Sequence, residues 1–260
     1  MTGALGERLA AVKSAGRKSL VPYVTGGLPG WIDAVRAAAA NGADAVEIGI
    51  PFSDPVIDGP VIQRASQLAL AAGATPVSVL REVRDLDVGI PLVVMAYYNT
   101  VHHPGHERFA SELADAGVAG AIVPDLPLEE AGPWCAAADS AGVETVMLAA
   151  PTASDERLAR VVDRSRGFVY AVGVLGVTGE RATLAATALS LASRLVRITD
   201  LPVLVGVGVS DAAQAAEAVT VADGVVQGAS VMRRLLDEGP DAVGRYVAEV
   251  RASIDERIDG

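Results

Sequence analysis

The chain has 260 residues, 51% of them hydrophobic and 4% aromatic, a length and composition suited to one large α/β domain with ample core. Its 21 basic and 32 acidic residues leave a net charge of −11, which repels phosphate backbones and anionic headgroups, so neither nucleic acid nor a membrane is an expected partner. One cysteine (Cys135), two lysines (Lys13, Lys18) and three histidines (His102, His103, His106) exclude an internal disulfide, a Schiff-base lysine on a late strand and a metal centre built from histidines on several strands.

No cofactor or metal is expected, and any chemistry falls to carboxylates, hydroxyls and backbone groups. The start of the chain carries Glu7, Arg8, Lys13, Arg17 and Lys18 rather than an apolar signal core, and no apolar run approaches the roughly 18 residues that span a bilayer. With its lone cysteine, the protein reads as cytoplasmic.

In chain order, a helical period over Leu5–Ala15 comes first. Short Val/Ile/Ala-rich runs then begin near Ser19, Asp44, Pro91, Ala119, Val143, Gly167, Pro202 and Asp223, as strands buried on both faces do. Helical segments lie between and after them: Ile32–Ala40, Val77–Asp85, Glu107–Ala116, Glu129–Ser140, Asp155–Arg164, Ala182–Ile198, Ala212–Val219 and Val243–Ile254. This alternation predicts a single (β/α)8 TIM barrel over residues 1–260 with an extra N-terminal helix, a doubly wound open sheet being the competitor. The tail from Arg251 to Gly260 reads as an amphipathic helix end fraying into solvent.

A barrel of this kind places its active site where strands end. Tyr23, Phe52, Tyr97, Tyr98 and Tyr170 fall there, either as rim packing or as walls for a flat ring. Gly176, Gly179, Gly206, Gly208 and Gly228 collect at the ends of strands 6 to 8, either as turn glycines or as bare backbone N–H groups facing a phosphate. Glu47 lies inside the apolar run Ala45–Ile50, where a carboxylate is costly unless paired or protonated, and few bases are available to pair with it. Burial would raise its pKa toward neutrality, which suits a group that first gives and then takes a proton.

Asp58, in Asp54-Pro55-Val56-Ile57-Asp58-Gly59-Pro60, and Asp125, in Pro124-Asp125-Leu126-Pro127, are each divided between helix cap and site residue. Thr178 sits on a glycine-flanked loop able to close over a ligand. The histidine run, broken by Pro104 and Gly105, reads as a solvated loop, and Cys135 as packing.

Glu47, Pro51-Phe52-Ser53-Asp54-Pro55 and Asp58-Gly59-Pro60-Val61-Ile62-Gln63 resemble the signature of the tryptophan synthase α subunit family. The likeness continues through Pro22–Thr25, Met95–Asn99, Pro124–Pro127, Gly167–Tyr170, Gly176–Gly179 and Gly206–Ser210. The resemblance implies a (β/α)8 lyase that cleaves indole-3-glycerol phosphate to indole and glyceraldehyde 3-phosphate and hands indole to a β subunit in an α2β2 complex. It further implies that Glu47 is the acid/base, that Asp58 binds the indole N–H and that Thr178 orients Asp58. Tyr23, Met95, Tyr97, Ile122 and Tyr170 would form the ring pocket, and Gly179, Gly208, Gly228 and Ala229 the phosphate site. Asp54, Pro55 and the loop after Asn99 would face the β subunit.

Three positions depart from the family pattern: Gly228-Ala229-Ser230 stands where Gly-Ser-Ala is usual, Gly173 where serine is common, and Thr100 where proline is frequent. Two alternatives stay open at this point, a free-standing lyase of another pathway and a non-catalytic, partner-activating homologue.

Overall fold

A computed structural model of the protein describes residues 3–173, 186–206 and 208–259. The first half runs α1 (Ala4–Ser14), β1 (Ser19–Thr25), α2 (Trp31–Ala40), β2 (Val46–Gly49), α3 (Pro60–Ala71), α4 (Pro76–Arg84), β3 (Leu92–Met95), α5 (Tyr98–His102), α6 (His106–Asp115) and β4 (Gly120–Ile122). The second half runs α7 (Gly132–Ala141), β5 (Glu144–Ala149), α8 (Asp155–Arg164), β6 (Val169–Val172), α9 (Ala186–Leu195), β7 (Val203–Gly206), α10 (Ala212–Ala218), β8 (Gly224–Gln227), α11 (Ala229–Glu238) and α12 (Pro240–Asp259). The strands pair in parallel in chain order and β8 closes on β1, with Ser19 opposite Gly224 and Pro22 opposite Gln227. The closed barrel rules out the open sheet.

Why these runs become strands is visible in their burial. All seven residues of β1 are buried, because the barrel interior covers one face and the helix ring the other. Helix starts are set locally: Ser154 accepts the Arg157 N–H at 3.3 Å, and Thr75 and Ser78 form a reciprocal capping box.

The N-terminal end of the barrel is sealed by α1. Its first N–H groups, on Gly3, Leu5 and Gly6, converge on the buried Glu144 carboxylate of β5 at 2.9–3.3 Å, which satisfies an otherwise costly charge and complements the helix dipole. Among the described residues the opposite end is thereby left as the open mouth.

Three helices, α3, α5 and α11, lie outside the helical segments read from the sequence. The stretch Asp58-Gly59-Pro60 suits a turn or a helix cap alike; in the structure a helix follows, with Pro60 at the first position of α3 and Ile62, Ala65, Ser66 and Ala69 burying one helical stripe. The short α5 forms where the Asp125 carboxylate accepts the Tyr98 N–H at 2.8 Å. The tail also departs from expectation, for α12 continues to Asp259. Arg251 is buried and bonds to Asp44, Asp255 and the Lys18 carbonyl, which anchors the helix to the barrel.

Candidate active site

The C-terminal mouth holds a cavity of about 700 Å³ counting its open entrance. Tyr23, Glu47, Met95, Ile122, Leu148, Tyr170 and Val226 rise into it from seven of the eight strands, and Ile57, Asp58, Ile62, Pro124, Gly208, Val209, Gly228 and Ala229 wall it from the loops and helix starts above. The missing strand, β7, ends in Gly206 for a steric reason. A Cβ there would lie 2.2 Å from the Tyr170 hydroxyl oxygen, so the ring of one strand fills the place of its neighbour's side chain. Gly49 makes the same room on β2 for the Tyr23 hydroxyl.

Glu47 and Asp58, each 4% exposed, are the two acidic residues in a wall otherwise made of aliphatic side chains, glycines and the two tyrosines. Burial, with the negative charge of Asp58 adding to it, raises the Glu47 pKa to about 8. One of its carboxyl oxygens is buried with no hydrogen-bond partner, an environment that favours the protonated acid at neutral pH. Asp58 is raised to about 6 by burial, opposed by hydrogen bonding from Tyr97, so it remains mainly the anion at neutral pH. The pair therefore divides into a proton-bearing acid and a neighbouring anion, the arrangement expected when one group must deliver a proton and the other must stabilise positive charge.

Of the residues singled out from sequence, Tyr23, Glu47, Asp58, Met95, Ile122, Tyr170, Gly208, Gly228 and Ala229 all line the cavity. Tyr97 stands behind Asp58 instead: its hydroxyl accepts the Ile57 N–H at 3.3 Å, and its ring stacks on Phe52 at 5.1 Å. Asp125 is exposed and serves as the cap of α5, and Gly206 supplies space rather than lining. Thr178 and Gly179 lie outside the described residues. His102 and His103 are exposed, as read from the sequence, whereas His106 is half-buried, hydrogen-bonded to the Tyr98 hydroxyl at 3.0 Å with its ring near those of His102 and Trp134.

Sequence reasoning missed the apolar wall of Ile57, Ile62, Pro124, Leu148, Val209 and Val226. Leu148 and Val226 were within reach, since each is the penultimate residue of its strand at the mouth end.

A closed (β/α)8 barrel with a buried carboxylate pair at its C-terminal mouth and a cavity shaped by aromatic and aliphatic side chains has the form of a barrel-enzyme site with room for an apolar ring. The family model described as tryptophan synthase alpha chain matches residues 9–256. The tryptophan synthase alpha chain of Streptomyces coelicolor is 49% identical over 245 residues, covering 92% of this chain and 90% of the relative. That of Thermobifida fusca is 45% identical over 263 residues, covering 96% and 97%. A solved structure of Mycobacterium tuberculosis tryptophan synthase superposes with a TM-score of 0.91 at 37% identity, covering 98% of this chain and 99% of that one.

The chain belongs to the tryptophan synthase α chain family. It is a carbon–carbon lyase of tryptophan biosynthesis, and the alternatives of a lyase serving another pathway and of a non-catalytic homologue give way to this assignment. Among the described residues no helix is long and apolar enough to cross a membrane.

Proposed function

We propose that Glu47 and Asp58 carry the retro-aldol cleavage of indole-3-glycerol phosphate. The observation that supports this most strongly is the pairing of a carboxyl raised to about 8 with a second raised to about 6 in one apolar cavity. Protonated Glu47 gives its proton to indole C3, and the anionic Asp58 accepts the indole N–H and stabilises the positive charge that develops on the ring. The Glu47 carboxylate then takes the proton of the side-chain hydroxyl next to C3. The C–C bond breaks, its electron pair restores the aromatic ring, and the hydroxyl oxygen becomes that of glyceraldehyde 3-phosphate. Glu47 ends the cycle protonated, as it began.

The indole ring fits between Tyr170, Met95, Ile122 and Leu148, all apolar or aromatic and all on the cavity wall. Phosphate fits the opposite side, where Gly208, Gly228 and Ala229 line the cavity at the first turn of the ten-residue α11, whose N–H groups and dipole suit an anion. Thr178 and Gly179 complete this proposal as the residues that orient Asp58 and bind phosphate. Asp125 acts on the site through α5, and Gly206 through the placement of Tyr170.

We further propose a β subunit as partner in an α2β2 complex in the cytoplasm, met by exposed Asp54, by Pro55 and by the segment from Thr100 to His103. Asp54 and Pro55 belong to the loop that carries Asp58, and Ile57 of that loop bonds to Tyr97 at the start of α5, so contact there can bias closure of the site. Indole release from indole-3-glycerol phosphate, measured with and without a β subunit, tests the reading: slow release that the partner accelerates supports it, and no release in either condition overturns it.

A further inference from the structure

Besides the carboxylate pair, the cavity wall carries the hydroxyls of Tyr23 and Tyr170, and that of Tyr23 has a hydrogen-bond partner that fixes its role. Tyr23, only 4% exposed, is placed by β1 opposite Glu47 in the β1–β2 register, and its hydroxyl lies 3.3 Å from the Thr25 hydroxyl. A Cβ built on Gly49 would sit 1.9 Å from the Tyr23 oxygen. That oxygen therefore occupies the space where the side chain of residue 49 would begin, and residues 47 and 49 share one face of β2. The Tyr23 hydroxyl stands one side-chain step above Glu47, on the same inner wall.

Two hydroxyls that share one hydrogen bond leave one proton over. Thr25 is fully buried and away from the cavity, so a leftover Thr25 proton would have no acceptor. If Thr25 donates instead, the leftover proton belongs to Tyr23, which does line the cavity. That arrangement leaves no donor stranded. The nearby acceptor is also incomplete, for one Glu47 carboxyl oxygen is buried with no partner. A spare donor and an orphaned acceptor on one wall fit a group that accepts from the first and donates to the second, which is a hydroxyl.

We infer that Tyr23 and Glu47 clasp the same substrate hydroxyl, the one adjacent to indole C3, and that Tyr23 stabilises its oxygen while Glu47 removes the proton. Tyr23 keeps its own proton throughout and contributes a hydrogen bond only. Its effect is largest when charge builds on the oxygen, so it acts on turnover more than on binding. The inference rests on the retro-aldol reading above and adds a substrate-contacting donor to it.

Tyr23→Phe removes this hydroxyl and nothing else, and the ring still fills the Gly49 slot. Turnover of indole-3-glycerol phosphate should fall at least fivefold in kcat with KM within twofold of wild type. The Thr25 hydroxyl, left without its acceptor, should lower the melting temperature, a loss that Thr25→Val in the same background relieves, while the affinity for an analogue whose side-chain hydroxyls are replaced by hydrogen should be unchanged. A kcat loss below fivefold, or equal loss of affinity for the deoxy analogue, overturns the role. Thr25→Val in the Tyr23→Phe background should cost no further turnover, since its task is to orient a hydroxyl already gone; additive loss also overturns it. Wild-type protein that releases no indole at all would instead bring down the retro-aldol reading.

Discussion

The Tyr170 hydroxyl lies where the side chain of residue 206 would begin: a Cβ on Gly206 would meet its oxygen at 2.2 Å and its Cζ at 2.4 Å. The glycine on β7 and the tyrosine on β6 are thus one packing unit, and this side of the cavity wall depends on both. Gly206→Ala should displace the ring and destabilise the protein by about 1–3 kcal/mol, the usual cost of overpacking a filled core. In a Tyr170→Leu background the same substitution should cost much less. Urea denaturation of the four-member cycle measures the difference, and additive losses would show that the two residues do not share the space.

The raised Glu47 pKa also has a signature in stability. Its folded value is about 8 against 4.5 for the ordinary group, so the folded state holds the proton more tightly than the unfolded chain. Stability from this group is fully present below about pH 4.5 and is lost progressively as pH rises through about 8. Glu47→Gln abolishes the titration. It should melt higher than wild type at pH 9, by an amount on the order of a few kcal/mol, with a smaller difference at pH 5. Melting curves with the same offset at both pH values would contradict a buried, proton-binding Glu47.

The same two groups set the expected pH–rate profile. The proposed mechanism needs Asp58 ionised and Glu47 protonated, so kcat/KM should fall below about pH 6 and above about pH 8. The limbs belong to the interacting pair rather than to either residue alone, because Asp58 itself raises Glu47. A profile flat from pH 5.5 to 9 would contradict the assignment.

How far the sequence could reach differs from residue to residue. Glu47 was legible because a charge inside an apolar strand demands an explanation, and the eight strands were legible because continuous apolar runs have few other readings. Asp58 was ambiguous on its own, since Asp-Gly-Pro serves turns and caps equally, and that ambiguity also hid α3. The placing of Tyr23 over Gly49 and of Tyr170 over Gly206 follows from the register of neighbouring strands, which no local pattern encodes. Tyr97 and Asp125 were drawn into the site by position on the rim. In the fold, one supports Asp58 from behind and the other caps a five-residue helix.

Ala229 opens α11 at the cavity, and its neighbour Ser230 is completely buried and lines no part of it. Ser230 cannot therefore supply the hydroxyl that Ala229 lacks. A hydrogen bond to a charged group contributes roughly 1.5–3 kcal/mol, but α11 already offers its N–H groups and dipole, so the gain from restoring one hydroxyl is smaller. Ala229→Ser should lower the Kd for inorganic phosphate several-fold, read by calorimetric titration, with little change in melting temperature. Unchanged affinity would place the phosphate elsewhere.

The central claim is that Glu47 moves the proton. Its most direct test is single-turnover indole release by Glu47→Gln, in which the amide keeps the size of the carboxyl and cannot exchange a proton. The rate should drop at least about a thousandfold while substrate binding stays measurable. A variant retaining more than about a tenth of the wild-type rate would contradict the account.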